Sequence, residues 1–327
     1  MKILITGVHG FVGTNSVNAL SKEHTIYGLD IIAPQKEGII NTYSWKDIDA
    51  DKLPDVDAII HLAGKAHDIR ISDKLRDKWT EEYFKVNTEL TKKIYDYFLA
   101  HDGIKKFIFF SSVKAAADKV EGILTEDVVP APVGPYGESK MAAERYIQSF
   151  LDGSHSAHRQ VQRPLDKHTY ILRPCMIHGP GNKGNLNLLY GVVKRGIPWP
   201  LGAFENKRTF TSIDNLCFII NRLLTLDVES GVYNINDDEA ISTNELIEII
   251  SSALGRKTRI WHIPCGFMKG VAKVGGWLHL PLNPERLQKL TENYVSSNAK
   301  IKNALGIEQL PVRAKDGLLK TIMSFNK

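Results

Sequence analysis

The chain begins with a short apolar run, Ile3-Leu4-Ile5, and then reads Gly7-Val8-His9-Gly10-Phe11-Val12-Gly13. An apolar run that ends at glycines is typical of a buried strand in a parallel sheet. Glycines between a strand and a helix let the backbone approach a diphosphate, and the helix N-terminus offers N–H donors to it. The position of this stretch, directly after the first strand, therefore predicts a dinucleotide-binding turn.

Strands and helices alternate through about the first 175 residues. The pattern predicts strands at 25–30, 56–62, 106–110 and 169–173, and helices at 12–20, 79–99 and 136–150. This alternation indicates an α/β protein with a Rossmann-type, doubly wound parallel sheet. The polar segment 152–167 predicts an exposed insertion loop. The change to shorter helices after residue 181 predicts two domains, 1–175 for the dinucleotide and 176–327 for the substrate, with the chain crossing back to the sheet around 205–240.

An acidic residue ends the second predicted strand. Asp30 can accept hydrogen bonds from the adenosine ribose hydroxyls, and its charge repels a 2′-phosphate. The residues after it, Ile31, Ile32 and Ala33, include no arginine that could bind such a phosphate. The sequence therefore predicts NAD rather than NADP as the cofactor, with an ordinary solvated acid as the competing interpretation of Asp30.

Tyr136 and Lys140 lie four residues apart at the start of a predicted helix. Residues at this spacing share one face of a helix, so both side chains can reach one cleft. A neighbouring ammonium favours the phenolate and lowers the pKa of the tyrosine. The pair can then exchange a proton with a substrate hydroxyl near neutral pH, which predicts hydride chemistry on an alcohol or ketone.

Composition limits the other classes of function. The 327 residues carry a formal net charge of +5 without a Lys/Arg run, so we expect no nucleic-acid partner. The three cysteines are far apart, which disfavours disulfides and a zinc site and favours a reducing compartment. We expect a cytoplasmic protein without membrane insertion, because the first predicted strand begins at the N-terminus and leaves no space for a signal peptide, and no apolar stretch is long enough to span a bilayer. The amphipathic segment 268–278 is interpreted as a packed helix rather than as a membrane contact.

The ordered set of motifs resembles the extended short-chain dehydrogenases/reductases, specifically the nucleotide-sugar epimerase/dehydratase family. The resemblance covers nearly the whole chain and is closest over residues 1–220. The matching residues are Gly7, Gly10, Gly13, Asp30, His61-Leu62-Ala63-Gly64, Val86-Asn87, Ser111-Ser112, Tyr136, Lys140, Arg173-Pro174, Gly179-Pro180-Gly181, Arg208-Thr209-Phe210 and Asp214-Asn215.

The resemblance implies roles for individual residues. Ser112 would hydrogen-bond the reacting sugar hydroxyl, Tyr136 would be the acid/base, and Lys140 would bind the nicotinamide ribose and lower the pKa of the tyrosine. The resemblance also implies a larger set that binds NAD: Gly7, Gly10, Phe11, Val12, Gly13, Asp30, Ile31, Asp47, Ile48, Leu62, Ala63, Gly64, Asn87, Ser111, Tyr136, Lys140 and Pro174.

Departures from the family pattern exclude two reactions. Sugar 4,6-dehydratases carry Thr-Asp-Glu where this chain has Ser112-Val113-Lys114, so the acid and base for eliminating water are missing. Epimerase/reductases similar to GDP-fucose synthase have a cysteine at the position of Val113. Cys175 and His178 do not match that cysteine's placement and are expected to be structural or to line the cofactor.

Two reactions at C4 of the sugar remain. One is 4-epimerisation of a UDP-linked, N-acetylated hexose with NAD, and the other is reduction of a 4-keto sugar nucleotide by external NADH or NADPH. UDP-galactose epimerases usually have Asn at the position of Met176, which disfavours that activity. A non-catalytic NAD-binding regulator is a further alternative, but such relatives commonly lose the tyrosine or the lysine.

Substrate contacts and assembly also follow from the resemblance. The implied substrate-binding residues are Ser112, Asn185, Leu186, Arg208 and Arg286, with Arg208 as the main clamp on the diphosphate. The helices at 79–99 and 136–150 are expected to expose apolar stripes and to pair across a two-fold axis into a homodimer.

Overall fold

The computed structural model describes residues 1–66, 76–154, 166–182, 184–277 and 282–325. Its strands are β1 (Lys2–Thr6), β2 (Thr25–Leu29), β3 (Thr42–Tyr43), β4 (Ala58–His61), β5 (Lys106–Phe110), β6 (Ile123–Leu124), β7 (His168–Pro174), β8 (Met176–His178), β9 (Phe210–Ser212), β10 (Gly231–Ile235) and β11 (Val295–Ser296). The helices are α1 (Phe11–Leu20), α2 (Trp45–Asp49), α3 (Arg76–Phe84), α4 (Leu90–Ala100), α5 (Val113–Ala116), α6 (Pro135–Leu151), α7 (Asn185–Lys194), α8 (Ile213–Thr225), α9 (Thr243–Ala253), α10 (Cys265–Trp277), α11 (Pro284–Thr291), α12 (Ala299–Leu305) and α13 (Ala314–Ser324).

Seven parallel strands form the central sheet in the order β10-β7-β5-β4-β1-β2-β3. Side chains alternate across it, as strand geometry requires. Ile3 and Ile5 of β1 lie in one buried cluster with residues of α8, whereas Leu4 lies in another with residues of α4 and α6. Helices cover both faces, so the predicted Rossmann-type α/β class is confirmed.

The carboxyl edge of this sheet positions the candidate site. The turn after β1, the end of β2, the segment after β4 and the serines after β5 all meet there. In open parallel sheets, ligands bind outside the carboxyl ends of the strands.

The predicted helix at 79–99 is interrupted. The chain forms α3, then a π-helical segment, Lys85–Glu89, and then α4. The π turn buries Asn87 and Thr88, which hydrogen-bond α6. Tertiary hydrogen bonds therefore override the continuous helix that periodicity predicts.

The prediction of an exposed loop at 152–167 is wrong at its end, and residues 155–165 lie outside the described part of the chain. Lys167 is fully buried. Its Nζ donates to the carbonyl oxygens of Phe98 at 2.5 Å and His101 at 2.7 Å. Burial lowers the pKa of Lys167, and these carbonyls replace the water it gives up.

The C-terminal part of the chain has its own buried cluster, which joins α7, α9, α10, α11 and α13. Within residues 205–240, α8 packs on α1, and β10 is the edge strand beside β7. The division into domains at residue 175 stays a prediction.

The described parts of α3, α4 and α6 have no large hydrophobic residue that is fully exposed. Ile94, Phe98 and Ile147 are buried against the sheet, whereas Trp79, Tyr97 and Phe150 are half-buried. The homodimer stays a prediction. Across the described ranges, no helix is long and apolar enough to cross a bilayer.

Candidate functional site

The turn after β1 requires glycine at two positions. Gly7 has φ +67°, and a Cβ there would lie 2.9 Å from the backbone nitrogen of Ala63. A Cβ on Gly13 would lie 2.5 Å from the carbonyl oxygen of Gly7. Gly10 is the N-cap of α1 and provides no capping side chain, so N–H groups of the first turn, beginning with Phe11 and Val12, can bind an anion.

Asp30 follows β2 and contacts this turn. Its carboxylate accepts hydrogen bonds from the backbone N–H of His9 at 3.0 Å and from that of Ile31 at 2.7 Å. Ile31 itself is exposed. The negative charge thus lies beside the glycine turn, where the adenosine ribose of a dinucleotide would lie.

Asp47 and Ile48 have structural partners in α2. The Asp47 carboxylate accepts hydrogen bonds from the backbone and hydroxyl of Ser44, and these bonds lower the pKa of Asp47. Ile48 is buried in the core cluster that contains α4 and α6. Their contact with the cofactor stays a prediction.

The segment after β4 approaches the catalytic helix. The N–H groups of Leu62 and Ala63 donate to the main chain and the hydroxyl of Thr6. A Cβ on Gly64 would lie 3.0 Å from the Nζ of Lys140 and 3.1 Å from the Oδ1 of Asn87. Glycine at position 64 therefore leaves room for both of these polar side chains beside the segment after β4.

Lys140 is 5% exposed, and its Nζ donates to the carbonyl oxygen of Phe110 at 2.8 Å. Burial lowers its pKa to about 8, and the carboxylate of Glu144 opposes that shift. The side chain is therefore a buried ammonium at neutral pH. Tyr136, one turn earlier on α6, is half-buried, and its ring centroid lies 6.2 Å from that of Tyr83.

The start of α6 is fixed by the π-helical segment. The side-chain amide of Asn87 donates to the hydroxyl of Ser139 at 3.0 Å, and Thr88 donates to the Ser139 carbonyl at 2.8 Å. The Ser139 hydroxyl in turn donates to the carbonyl of Tyr136 at 2.9 Å. This chain of bonds ties Tyr136 to the segment after β4, because the Oδ1 of Asn87 also accepts from the N–H of Lys65.

The serines after β5 adjoin the same helix. Ser112 is the N-cap of α5, and its Oγ accepts from the N–H of Lys114 at 3.2 Å. Its hydroxyl hydrogen is still available to donate to a ligand. The buried Oγ of Ser111 has no hydrogen-bond partner among the described residues.

The positions that carry the acid and base of dehydratases have other partners here. Val113 is buried in a small apolar cluster with Cys175 and Tyr294. The Nζ of Lys114 pairs with the carboxylate of Asp118 at 2.7 Å. Neither side chain offers a carboxyl group to a substrate.

Cys175 and His178 are buried. Burial raises the pKa of Cys175 to about 12, and its Sγ lies 3.2 Å from the hydroxyl of Thr209. His178 lies between Thr321, 2.9 Å from its Nδ1, and Asp237, 3.5 Å from its Nε2. The thiol is protonated at neutral pH, so Cys175 is not an acid/base residue near neutrality.

The predicted substrate residues are divided among several elements. The guanidinium of Arg208 pairs with the carboxylate of Glu292 at 3.6 Å and donates to the carbonyls of Lys289 and Glu292 at the end of α11. Arg286 lies in the first turn of α11. Leu186 is buried in the C-terminal cluster, and Asn185 begins α7. Pro174, at the end of β7, is buried and opposite Ile235 of β10.

The resemblance names His61 and Arg173 as matching residues but assigns them no role, and the structure shows the polar contacts of each. His61 is fully buried, with Thr6 at 2.7 Å from its Nδ1 and Thr91 at 2.9 Å from its Nε2. Burial, followed by the charge of Lys140, lowers the pKa of His61 to about 3, so it is neutral. Arg173 forms a bidentate ion pair with Glu144, with a shortest distance of 2.6 Å. The sequence signals for this pair were the family match at Arg173 and the spacing of Lys140 and Glu144 on one helix face, and neither shows that Glu144 and Arg173 meet.

We expect Glu144→Gln to destabilise the protein strongly, because it leaves the Arg173 guanidinium buried without its counter-charge. Removing one partner of a buried pair costs about 3–5 kcal/mol. The matched control is Glu285→Gln, which breaks an exposed i,i+4 pair with Lys289 and should cost about 1 kcal/mol or less. Urea unfolding measures both changes, and equal costs would contradict the structural role assigned to Glu144.

Comparisons with known proteins agree with this geometry. A model of the NAD dependent epimerase/dehydratase family matches residues 3–236. The UDP-glucose 4-epimerase of Vibrio cholerae is 32% identical, over 80% of this chain and 78% of that protein. The N-acetyl-alpha-D-glucosaminyl-diphospho-ditrans,octacis-undecaprenol 4-epimerase of Escherichia coli O157:H7 is 26% identical, over 80% of this chain and 75% of that protein. The solved structure of UDP-N-acetylglucosamine 4-epimerase from Bacillus cereus has a TM-score of 0.73 at 20% identity and covers 100% of both chains, which shows a shared fold.

Proposed function

Because this chain belongs to the NAD-dependent epimerase/dehydratase family, we propose that it interconverts a hydroxyl and a ketone at C4 of a UDP-linked hexose, with C4 epimerisation as its net reaction. The observation that carries the proposal is the buried Lys140 ammonium, whose bond to the Phe110 carbonyl joins the Tyr136 helix to the end of β5, two residues before Ser112. Two relatives named as 4-epimerases support the reaction, and the name of the Bacillus cereus enzyme supports an N-acetylated sugar.

The chain's own residues handle the proton at the C4 oxygen. NAD, when bound, supplies the hydride acceptor and donor. The Tyr136 phenolate takes the proton of the C4 hydroxyl and returns it when the ketone is reduced. Lys140 stabilises the phenolate through its charge, and Ser112 donates a hydrogen bond to the C4 oxygen.

The residues after β1 and β2 fit the cofactor. Gly7 and Gly13 leave space for a diphosphate at the first turn of α1, and Asp30 lies where the ribose hydroxyls would be. We assign the other predicted cofactor contacts to the same surface, including Asn87 and Ser111.

We propose that the substrate diphosphate binds near α11. Arg208 is held by carbonyls of this helix, and Arg286 lies in its first turn. Backbone groups at Asn185 and Leu186 are assigned to the nucleobase. Residues 176–327 would thus form the substrate domain over the carboxyl edge of the sheet, and a homodimer remains the proposed assembly.

Dehydration is not proposed. Eliminating water across C5 and C6 needs an acid and a base beside the sugar. Val113 is buried among apolar residues, and Lys114 is paired with Asp118. The second candidate is reduction of a 4-keto sugar nucleotide by external NADH, since Ser112, Tyr136 and Lys140 serve both reactions.

Two incubations test the proposal. With UDP-N-acetylglucosamine and NAD, we expect a C4 epimer, detected by NMR. With the 4-keto-6-deoxy derivative and NADH, stoichiometric NADH consumption would instead assign the second candidate. Accumulation of a 4-keto-6-deoxy sugar in the first incubation would contradict the exclusion of dehydration.

Replacing Asp30 with Asn should raise the affinity for NADP relative to NAD. The amide keeps an acceptor for the N–H of His9 but removes the charge that repels a 2′-phosphate. We expect a change of about tenfold or more in the affinity ratio, which corresponds to about 1.4 kcal/mol. Titration calorimetry measures both affinities. Equal affinity of the wild type for the two cofactors would refute the role of Asp30.

A further inference from the structure

One side of α10 is packed and the other is open. Met268, Ala272 and Gly275 are buried, and the first two belong to the C-terminal cluster. The interpretation of this segment as a packed helix therefore describes only half of it. The outer face of α10 consists of Gly266, Phe267, Lys269, Gly270, Val271, Lys273, Val274 and Trp277, all exposed.

The outer face of α10 is apolar and basic. Phe267 is 65% exposed and Trp277 80%, values that are unusual for such large apolar side chains. Phe267, Val271 and Val274 follow one another at helical spacing and form one stripe. Lys269 and Lys273 form a second stripe on the opposite flank. The face includes no acidic residue, and the indole N–H of Trp277 is its one neutral side-chain hydrogen-bond donor.

The surrounding sequence has the same charge bias. Residues 249–284 contain five Lys/Arg residues and no Asp/Glu, while the rest of the chain carries 37 of each sign. This segment therefore accounts for the whole formal net charge of +5. The five cationic residues, all exposed, are Arg256, Lys257, Arg259, Lys269 and Lys273.

We propose that the outer face of α10 binds the surface of a bilayer that contains anionic lipids, with the helix lying in the interface. Helices that bind this way combine exposed aromatic and aliphatic residues with lysine and arginine. The apolar stripe enters the boundary between headgroups and acyl chains, and the lysines contact lipid phosphates. Tryptophan prefers this depth because its ring is amphipathic.

A second copy of the chain fits this face less well. In a two-fold contact the same patch meets itself, and because the patch has no acidic residue, Lys269 and Lys273 would gain no counter-charge there. The eight residues of the face are also fewer than the roughly 20–30 per side of a standard protein interface. An anionic surface matches both the charge and the small area.

The location of α10 connects this contact to the proposed substrate domain. α10 packs on α11, where a Cβ on Gly276 would lie 3.1 Å from the Cδ of Pro284. Carbonyls at the other end of α11 hold Arg208. Docking through α10 would therefore bring the substrate domain to the membrane surface.

Co-sedimentation of the full chain with vesicles tests the proposal. We expect binding to vesicles of phosphatidylcholine mixed with phosphatidylglycerol, and at least tenfold weaker binding to phosphatidylcholine alone. Binding should also weaken as salt is raised, because the lipid charges are screened. Absence of binding to the mixed vesicles at low salt would overturn the proposal.

Two double variants measure the apolar and the basic contributions to vesicle binding separately, and one control variant tests whether the contact lies at α10. Phe267→Ser combined with Trp277→Ser, and separately Lys269→Glu combined with Lys273→Glu, should each weaken binding to the mixed vesicles at least tenfold. Because these side chains are exposed, melting temperature and NAD affinity should stay at wild-type values. Met323→Ser, at an exposed position of α13, should bind like wild type. Wild-type vesicle binding by both double variants would refute the proposal, as would loss of self-association, rather than of vesicle binding, in the Phe267/Trp277 variant.

Discussion

Replacing Tyr136 with Phe should reduce turnover by about 10²–10⁴-fold while NAD affinity stays close to that of the wild type, because the change removes only the proton-transferring hydroxyl. Steady-state assays and titration calorimetry measure the two quantities. A loss smaller than about tenfold would exclude Tyr136 as the acid/base.

Tyr146→Phe is the matched control for this variant. Tyr146 lies on the same helix, and its hydroxyl donates to the Asp96 carboxylate at 2.5 Å, a contact that includes no residue of the candidate site. Removing the Tyr146 hydroxyl should therefore leave turnover intact. It should lower the free energy of unfolding by about 1 kcal/mol, or by up to about 3 kcal/mol because the lost hydrogen bond is to a charged group. Equal losses of turnover in the two variants would indicate a general disturbance of α6 instead of lost chemistry.

Lys140→Met should lower turnover and yet stabilise the protein without cofactor. Burial lowers the lysine pKa from 10.5 to about 8 in the folded state, so folding at neutral pH buries an ammonium at a cost of about 3 kcal/mol. Methionine avoids this cost but loses the bond to the Phe110 carbonyl, worth about 1 kcal/mol. We expect a net gain of about 2 kcal/mol at pH 7.

The stability difference between wild type and Lys140→Met should change with pH in a defined direction. Between pH 8 and 10.5 the unfolded lysine binds more protons than the folded one, so wild-type stability rises with pH. Below pH 8 the penalty is complete, and above pH 10.5 it is absent. The stability advantage of Lys140→Met should therefore shrink across this window in urea unfolding. A variant that is less stable than wild type at pH 7 would contradict the buried ammonium.

The sheet was predictable because its strands are apolar runs that end at distinctive residues. The glycine turn, Asp30 and the pair of serines each follow such a run, and the sheet brings their ends together. The spacing of Tyr136 and Lys140 likewise needed only helical periodicity. These are local patterns, and a single sequence displays them directly.

The remaining features depend on tertiary contacts. The π turn is associated with the hydrogen bonds from Asn87 and Thr88 to α6, and the apolar periodicity of the sequence does not predict those bonds. In the sequence Lys167 resembles a surface residue. In the fold its ammonium is buried and donates to the carbonyls of Phe98 and His101, which are far from it along the chain. The amphipathic pattern of α10 predicted a packed side, but only the fold shows that Phe267 and Trp277 have no cover among the described residues.

The central claim is hydride transfer at C4, and incubation of UDP-N-acetylglucosamine with the protein and NAD in D₂O tests it most directly. Hydride that moves between C4 and the cofactor does not exchange with solvent. The C4 epimer should therefore form with hydrogen retained at C4 and without deuterium at C3 or C5, as read by NMR. Deuterium at C3 or C5 would show proton abstraction from carbon and would contradict the account.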